Sequence, residues 1–245
     1  MLKKSLVIIL DIAIAVYLIM AITAFNQPVE KASICSEVKI DIKKNAMEGF
    51  LNANEVKSLL QRNNLYPLAQ PMQFVNTRNI EDVLRKSPFV EKAECYKTQG
   101  GHVCIDLTQR MPILRVMADN GENYYVDENG NILPQTRYTS NLIVATGAID
   151  LRYAKKVLTP MAKFLISNDF WQNQIEQINI LPDGSMEIVP RVGDHVAFLG
   201  APENIEKKLE RLRKFYIYGL NKAGWNQYSY ISVEFDNQIV CKRRN

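Results

Sequence analysis

The feature that most restricts what this chain can become lies at its start. Met1-Leu2-Lys3-Lys4 is followed by an almost wholly apolar run from Ser5 to Phe25, long enough at 1.5 Å per helical residue to cross about 30 Å of hydrocarbon. A cleaved secretory signal is the competing reading. Signal cores usually hold about 7–15 residues and end in an A-x-A pattern, whereas this run is longer and ends Ile22-Thr23-Ala24-Phe25. The expectation is a retained transmembrane helix over 5–25 behind a short tail at 1–4. Lys3 and Lys4 precede the span, and Gln27-Pro28-Val29-Glu30-Lys31 after it carries no net charge. The positive-inside bias therefore puts the N-terminus in the cytoplasm and the rest of the chain outside. Asp11 interrupts the run, at a cost of roughly 2.5–3.5 kcal/mol for a charge at the centre of a membrane helix, which several Leu and Ile at about 0.5 kcal/mol each offset. Two readings of Asp11 stay open: a polar contact with a partner helix, or a carboxyl near the cytoplasmic end that is protonated or hydrated.

Beyond this run the chain is globular in composition. The whole chain has 245 residues, 47% of them hydrophobic and 23% charged, with 11 Gly and 10 Pro, which excludes collagen-like, disordered and multi-span classes. Thirty Lys+Arg against 26 Asp+Glu leave +4, spread too evenly to predict a nucleic-acid surface.

Periodicity then divides the chain into two units, 36–112 and 113–245. A short strand, Val38 to Ile42, comes first, followed by Asn52-Ala53-Asn54-Glu55, a capping arrangement that opens a helix with Val56, Leu59 and Leu60 on one face. Thr77 opens a second helix, with Ile80, Val83 and Leu84 inward, and Ser87-Pro88 forces extended backbone after it. Two strands, Val90 to Lys97 and His102 to Gln109, complete a β-α-α-β-β order. From Pro112 onward short strands alternate with tight turns such as Asn129-Gly130 and Pro182-Asp183-Gly184. Two amphipathic helices interrupt them, near Leu151 to Ile166 and Asn204 to Tyr218. The fold class expected is α+β: an N-terminal transmembrane helix, a small β-α-α-β-β domain, and a mainly antiparallel β domain with two helices.

Four cysteines lie beyond the span. Cys95 and Cys104 flank Gly100-Gly101 in the hairpin, and pairing 95 with 104 also sets Tyr96 opposite Val103. The expectation is a cross-strand disulfide contributing roughly 2–3 kcal/mol, with free thiols as the alternative. His102 brings the ligand count of that hairpin to three, short of a tetrahedral zinc set. Lipidation of Cys35 is rejected because the residue before it, Ile34, is bulky. Whether Cys35 and Cys241 meet stays open.

Catalytic patterns are scarce. His102 and His195 fall in no metal-binding spacing, and the chain has no phosphate-cradling glycine loop, no GxSxG and no SxxK with partner motifs. These absences lower the expectation of an enzyme, and no catalytic, cofactor-binding or metal-binding residue and no small-molecule substrate is assigned. The chain ends Phe235-Asp236-Asn237-Gln238-Ile239-Val240-Cys241-Lys242-Arg243-Arg244, a turn and then a short apolar strand that stops at three cations. With no later strand to cover it, this is a candidate open edge, and such edges invite pairing. Two readings stand level here: a terminal strand capped by solvated charge, or a partner-binding edge.

Several segments, taken in order, resemble the FtsQ/DivIB family of bacterial cell-division proteins. Ser87-Pro88-Phe89-Val90-Glu91-Lys92-Ala93 is similar to that family's Asn-Pro-aromatic-Val segment, and Ile105-Asp106-Leu107-Thr108-Gln109-Arg110-Met111-Pro112 to its strand ending in Glu-Arg-x-Pro. Tyr125 to Gly130, Leu142 to Gly147, Ile178 to Gly184 and Val196-Ala197-Phe198-Leu199-Gly200 continue the likeness. Ser87 for Asn, Gln109 for Glu and the missing Leu-Pro opening before Gly147 depart from it. The resemblance implies a POTRA domain followed by a β domain in a non-enzymatic, single-pass scaffold of the divisome. It implies a place in the bacterial inner membrane at the septum, and partners of the FtsB/DivIC and FtsL kinds. It also implies that a strand of the FtsB-like partner adds to the C-terminal edge. Main-chain groups of Asn237 to Cys241, apolar contact from Phe235 and Val240, and charge from Lys242, Arg243 and Arg244 would supply the binding. The alternatives are a POTRA-containing envelope or secretion adaptor and a membrane-anchored cell-wall enzyme.

Overall fold

The structure, a computed structural model, describes residues 2–25, 33–43, 51–136 and 142–244, with side chains along the first helix described for 10–22. Helix α1 (Leu2–Phe25) is 24 residues long and carries Asp11 with its side chain exposed. Among the described residues, no helix is long and apolar enough to cross a membrane. The side chains of Lys3 and Lys4 and the segment 27–31, on which the expected orientation rests, lie outside the described residues.

The chain forms two compact units, the first built from Met1–Ile42, Ala53–Arg85 and Lys92–Leu107. Its three-stranded sheet runs β1-β3-β2, with β1 at Glu37–Lys43, β2 at Val90–Lys97 and β3 at His102–Gln109. Helices α2 (Ala53–Arg62) and α3 (Thr77–Arg85) each bury one pair a turn apart, Val56 with Leu60 and Ile80 with Leu84, because side chains four apart share a helix face. Helix α3 starts at Thr77 as expected, capped by Asn76, whose Oδ1 accepts the Asn79 N–H at 3.1 Å. Glu81 ties this helix to β2: one carboxylate oxygen accepts the Cys95 N–H at 2.8 Å, and the other holds Arg85, which itself donates to Ala93 O at 2.8 Å.

The expected Cys95–Cys104 disulfide is corrected by the hairpin register. All four cysteines are free. Thr98 N–H donates to His102 O at 2.9 Å across the turn, so Tyr96 falls opposite Cys104 and Cys95 opposite Ile105. A one-residue slip in register exchanges the faces of a strand. Cys95 therefore lies buried on the side of Val103, Ile105 and Leu107, while Cys104 is half-buried on the other side, near Tyr96 and Asp106. Burial, with Glu81 nearby, pushes the Cys95 thiol up to about 12, which leaves it unreactive.

The second unit comprises Lys43–Asn52, Lys86–Glu91 and Thr108–Asn245. It holds a nine-stranded sheet of order β12-β11-β10-β9-β8-β7-β4-β5-β6. In chain order these are β4 (Pro112–Ala118), β5 (Asn123–Asp127), β6 (Ile132–Pro134), β7 (Ile143–Gly147), β8 (Ile175–Ile180) and β9 (Met186–Pro190). The last three are β10 (Val196–Gly200), β11 (Tyr228–Ser232) and β12 (Val240–Arg243). The sheet is mainly antiparallel, as expected, but mixed: β4 with β7, β7 with β8, and β10 with β11 run parallel. Two of these pairs follow from the helices, since a helix returning the chain to the same end of a sheet makes its flanking strands parallel.

The first crossover runs through α4 (Leu151–Tyr153), a π-wound turn at Ala154–Leu158 and α5 (Thr159–Ser167). Pro160 has no N–H to offer and would crowd the carbonyl a turn earlier. The widened turn, with Thr159 N–H and Oγ1 both donating to Ala154 O, accommodates it. The second crossover runs through α6 (Ile205–Phe215), a π-wound turn at Tyr216–Leu220 and α7 (Asn221–Ala223). Ala154, Leu158, Met161, Leu165, Leu209 and Leu212 join Trp171, Ile178, Ile188 and Ala197 in one core. Full burial of each large apolar side chain contributes roughly 1.5–3 kcal/mol.

At the start of this unit Arg110 anchors the chain. Its guanidinium donates to Pro88 O at 3.1 Å, Val90 O at 3.3 Å and Asp127 Oδ2 at 2.7 Å. Asp127 also accepts from Asn129 N, Asn131 N and Asn131 Nδ2 at 2.7–2.8 Å, locking the turn in which Gly130 takes φ +76°. Burial pushes this carboxyl up, but the donors from Asn131, Arg110 and Asn129 more than offset it and hold it below its usual range.

Candidate functional site

The two edges of the nine-stranded sheet differ in what they offer. β6 is three residues long and ends at Pro134, which has no donor. β12 closes the other edge, paired antiparallel with β11 alone: Ser232 opposite Val240, Ile231 opposite Cys241, Tyr230 opposite Lys242, and, after a bulge, Tyr228 opposite Arg243.

Which main-chain groups are free follows from parity. Val233 N–H donates to Phe198 O at 3.0 Å, so Val233 and Ile231 face β10, and Ser232 and Tyr230 face β12. Arg244 N–H donates to Gln227 O at 3.0 Å, so Lys242 and Val240 face β11. Successive residues of a strand direct their N–H and C=O to alternate sides. Cys241 and Arg243 therefore point these groups away from the sheet.

The residues expected to form one binding segment divide into four groups. Asn237 and Gln238 precede the strand, with Asn237 in the turn at φ +62°, so the strand itself begins at Val240. Ile239 and Cys241 are half-buried and pack on the core, and burial pushes the Cys241 thiol up. Phe235, Val240, Lys242 and Arg243 are exposed, Phe235 by 53% and Val240 by 52%. Arg244 is engaged within the unit, donating to Asp194 Oδ2 at 2.8 Å and to Asp194 O. Of the three cations, Lys242 and Arg243 stay exposed beside it.

Three residues that the sequence did not single out complete the edge. Arg211 of α6 donates to Val233 O and Phe235 O, both at 2.7 Å, and to Asp236 Oδ1, clamping the turn that launches β12. Phe198 and Tyr230 stack at 6.0 Å on the face turned away from the core, beside Val240 and Lys242 in register. The alternation of β10 and β11 carried a signal for this pair; the clamp, more than twenty residues from its acceptors, left none.

Behind the edge, His195 is buried with Nε2 2.8 Å from Tyr216 Oη and its ring against Tyr216 and Trp225. Burial first and Arg244 second lower its pKa, with Asp194 opposing. The tight ring packing makes His195 a core element. Among the described residues, no group of three or more His, Cys, Asp or Glu side chains could hold a metal ion.

Comparison with known proteins agrees with this anatomy. The family model described as FtsQ/DivIB, C-terminal related, matches residues 111–242, more than half of the chain. A POTRA-like domain model matches residues 33–108. No curated protein matches the chain.

Proposed function

The chain belongs to the FtsQ/DivIB family, and on that premise we propose that it is a non-enzymatic scaffold of the bacterial cell-division machinery, acting at the septum. In this reading α1 is a retained single-pass anchor in the inner membrane, with its N-terminus cytoplasmic. The apolar run 5–25 and the preceding Lys3-Lys4 support this. The rest of the chain works outside, binding an FtsB/DivIC-like single-span partner at β12, with an FtsL-like protein in the same assembly. Asp11 is a candidate contact within the membrane.

The observation that carries the reading is the open edge itself. The outward N–H and C=O groups of Cys241 and Arg243 supply a ladder for an added strand, each hydrogen bond contributing about 0.5–1.5 kcal/mol net. Val240 offers apolar contact, and Lys242 with Arg243 favours an acidic segment.

The test is capture of an FtsB-like partner by the full chain. Proline at Arg243 removes one outward donor and one cation without touching the ladder to β11 and should weaken capture about two- to tenfold. Reversing Lys242 and Arg243 to Glu should slow association and flatten its salt dependence. Capture unchanged in both variants, with the fold intact, refutes the edge model. Depletion tests the cellular role: filamentous cells without septa support it, and normal division with envelope or secretion defects assigns the chain to an adaptor instead.

A further inference from the structure

A second surface in the same unit is not used by the edge. Between the α4–α5 run and the start of α6 lies a groove of about 420 Å³, within the range of pockets that take side chains or small molecules. Its lining is apolar from Val157, Pro160, Met161, Phe164 and Ile205, and Lys156 and Lys207 stand on its two sides. The charge around it is one-sided. The run Leu151 to Ser167 bears Arg152, Lys155, Lys156 and Lys163, all exposed, and no acidic residue. On α6 the carboxylate of Glu210 is taken up by Arg213 and Lys214, whereas Lys155, Lys156, Lys163 and Lys207 have no carboxylate partner among the described residues. Of the described residues that line the groove, Glu206 is the one acid.

We infer that this groove docks an acidic amphipathic helix of a partner protein. The floor calls for an apolar stripe and the rims call for carboxylates on both sides of it. A helix with apolar residues at i, i+3 or i+4 and i+7, flanked by Glu, meets both demands. The lysines draw the helix in and set its orientation, and the apolar anchors hold it. This inference is independent of the β12 edge, whose residues take no part in the groove.

The test uses the full chain in zwitterionic nanodiscs and fluorescence anisotropy with a labelled synthetic helix carrying a leucine stripe flanked by Glu, against the same helix with Lys for every Glu. The acidic peptide should bind saturably and at least tenfold more tightly than the basic one, and lose affinity as salt rises. The double variant K156E/K207E changes only exposed side chains and should weaken binding about tenfold, while proline at Arg243 leaves it unchanged. Equal binding of the two peptides, or full affinity in K156E/K207E, overturns the inference. So do two outcomes that would assign the groove elsewhere: self-association abolished by K156E/K207E in the absence of peptide binding, which makes a second copy the occupant, and capture of phosphatidylglycerol vesicles by the same lysines, which makes it a membrane surface.

Discussion

Gly147 is the backbone position where a single methyl group should do the most damage. It ends β7 at φ +100°, in register with Ile180 of the parallel β8. A Cβ built there falls inside the van der Waals shell of Ile180 O, with Ile180 C at 2.9 Å and Asn179 Oδ1 at 3.0 Å. Ile180 O is also the acceptor of Ala148 N–H at 2.9 Å, so the intruding methyl lies beside a hydrogen bond in use. Gly121 is the internal control, with φ +87° and nothing within 4 Å of the same built atom. Alanine in the left-handed region costs about 1–2 kcal/mol, less about 0.4–1 kcal/mol regained from the stiffer unfolded chain, so G121A should lose about 1 kcal/mol. G147A adds a shift of one strand against its neighbour at about 1–3 kcal/mol and the loss of one or two hydrogen bonds at about 0.5–1.5 kcal/mol each, for a total of about 2.5–7 kcal/mol. Both tryptophans, Trp171 and Trp225, belong to the second unit, so denaturant unfolding followed by tryptophan fluorescence reports on it alone. A G147A loss within 1 kcal/mol of that of G121A would refute the steric reasoning and mean that β7 and β8 part without cost.

Other perturbations separate the remaining contributions. Asp127→Ala leaves Arg110 and three amide donors facing a void, and should destabilise the second unit by about 3–5 kcal/mol in the same unfolding experiment; a loss below 1 kcal/mol would show the cluster to be solvated. His195 is neutral in the folded unit because burial lowers its pKa from 6.5. Its contribution is therefore full above about pH 6.5 and is lost as pH falls from there to the folded value. The carboxyls of Asp127 and Asp183, held below 3.8, lose their contributions only under more acid conditions. Stability measured between pH 7 and 5 should fall in the native chain and flatten in His195→Gln, and an equal slope in both would assign the acid sensitivity to another group.

The parts of this fold that were legible in the sequence are those set by local pattern. The strict alternation of His102 to Gln109 and the paired apolar residues of Thr77–Arg85 each specify a buried face without help from the rest of the chain. Register was not legible, because it depends on how a turn is spent. The loop from Thr98 to His102 includes Gly101 at φ +75°, and this shifts the pairing by one residue and separates the two cysteines to opposite faces. The parallel pairs were open to inference from strands flanking helices, yet turn signals such as Pro182-Asp183-Gly184 mark only their own hairpins. At the edge, a short apolar run closed by cations announced a strand. The split between inward Ile239 and Cys241 and outward Val240 and Lys242, however, depends on pairing with β11, and the engagement of Arg244 depends on Asp194, fifty residues away.

Those long-range ties bear on how the edge can act. An unsupported terminal strand must lose its conformational freedom when a partner arrives, at about 1–2 kcal/mol per residue, which would consume most of what two residues' hydrogen bonds return. Here that ordering is built into the unit. Arg211 holds the turn through Val233 O, Phe235 O and Asp236, and at the other end Arg244 holds Asp194 while its own N–H closes the ladder on Gln227. β12 is thus presented already extended, with its outward groups aligned, so that an incoming segment meets the loss of its own freedom alone. The division of the three terminal cations has the same logic: Arg244 fixes the strand, and in the proposed strand addition Lys242 and Arg243 would select the segment that joins it.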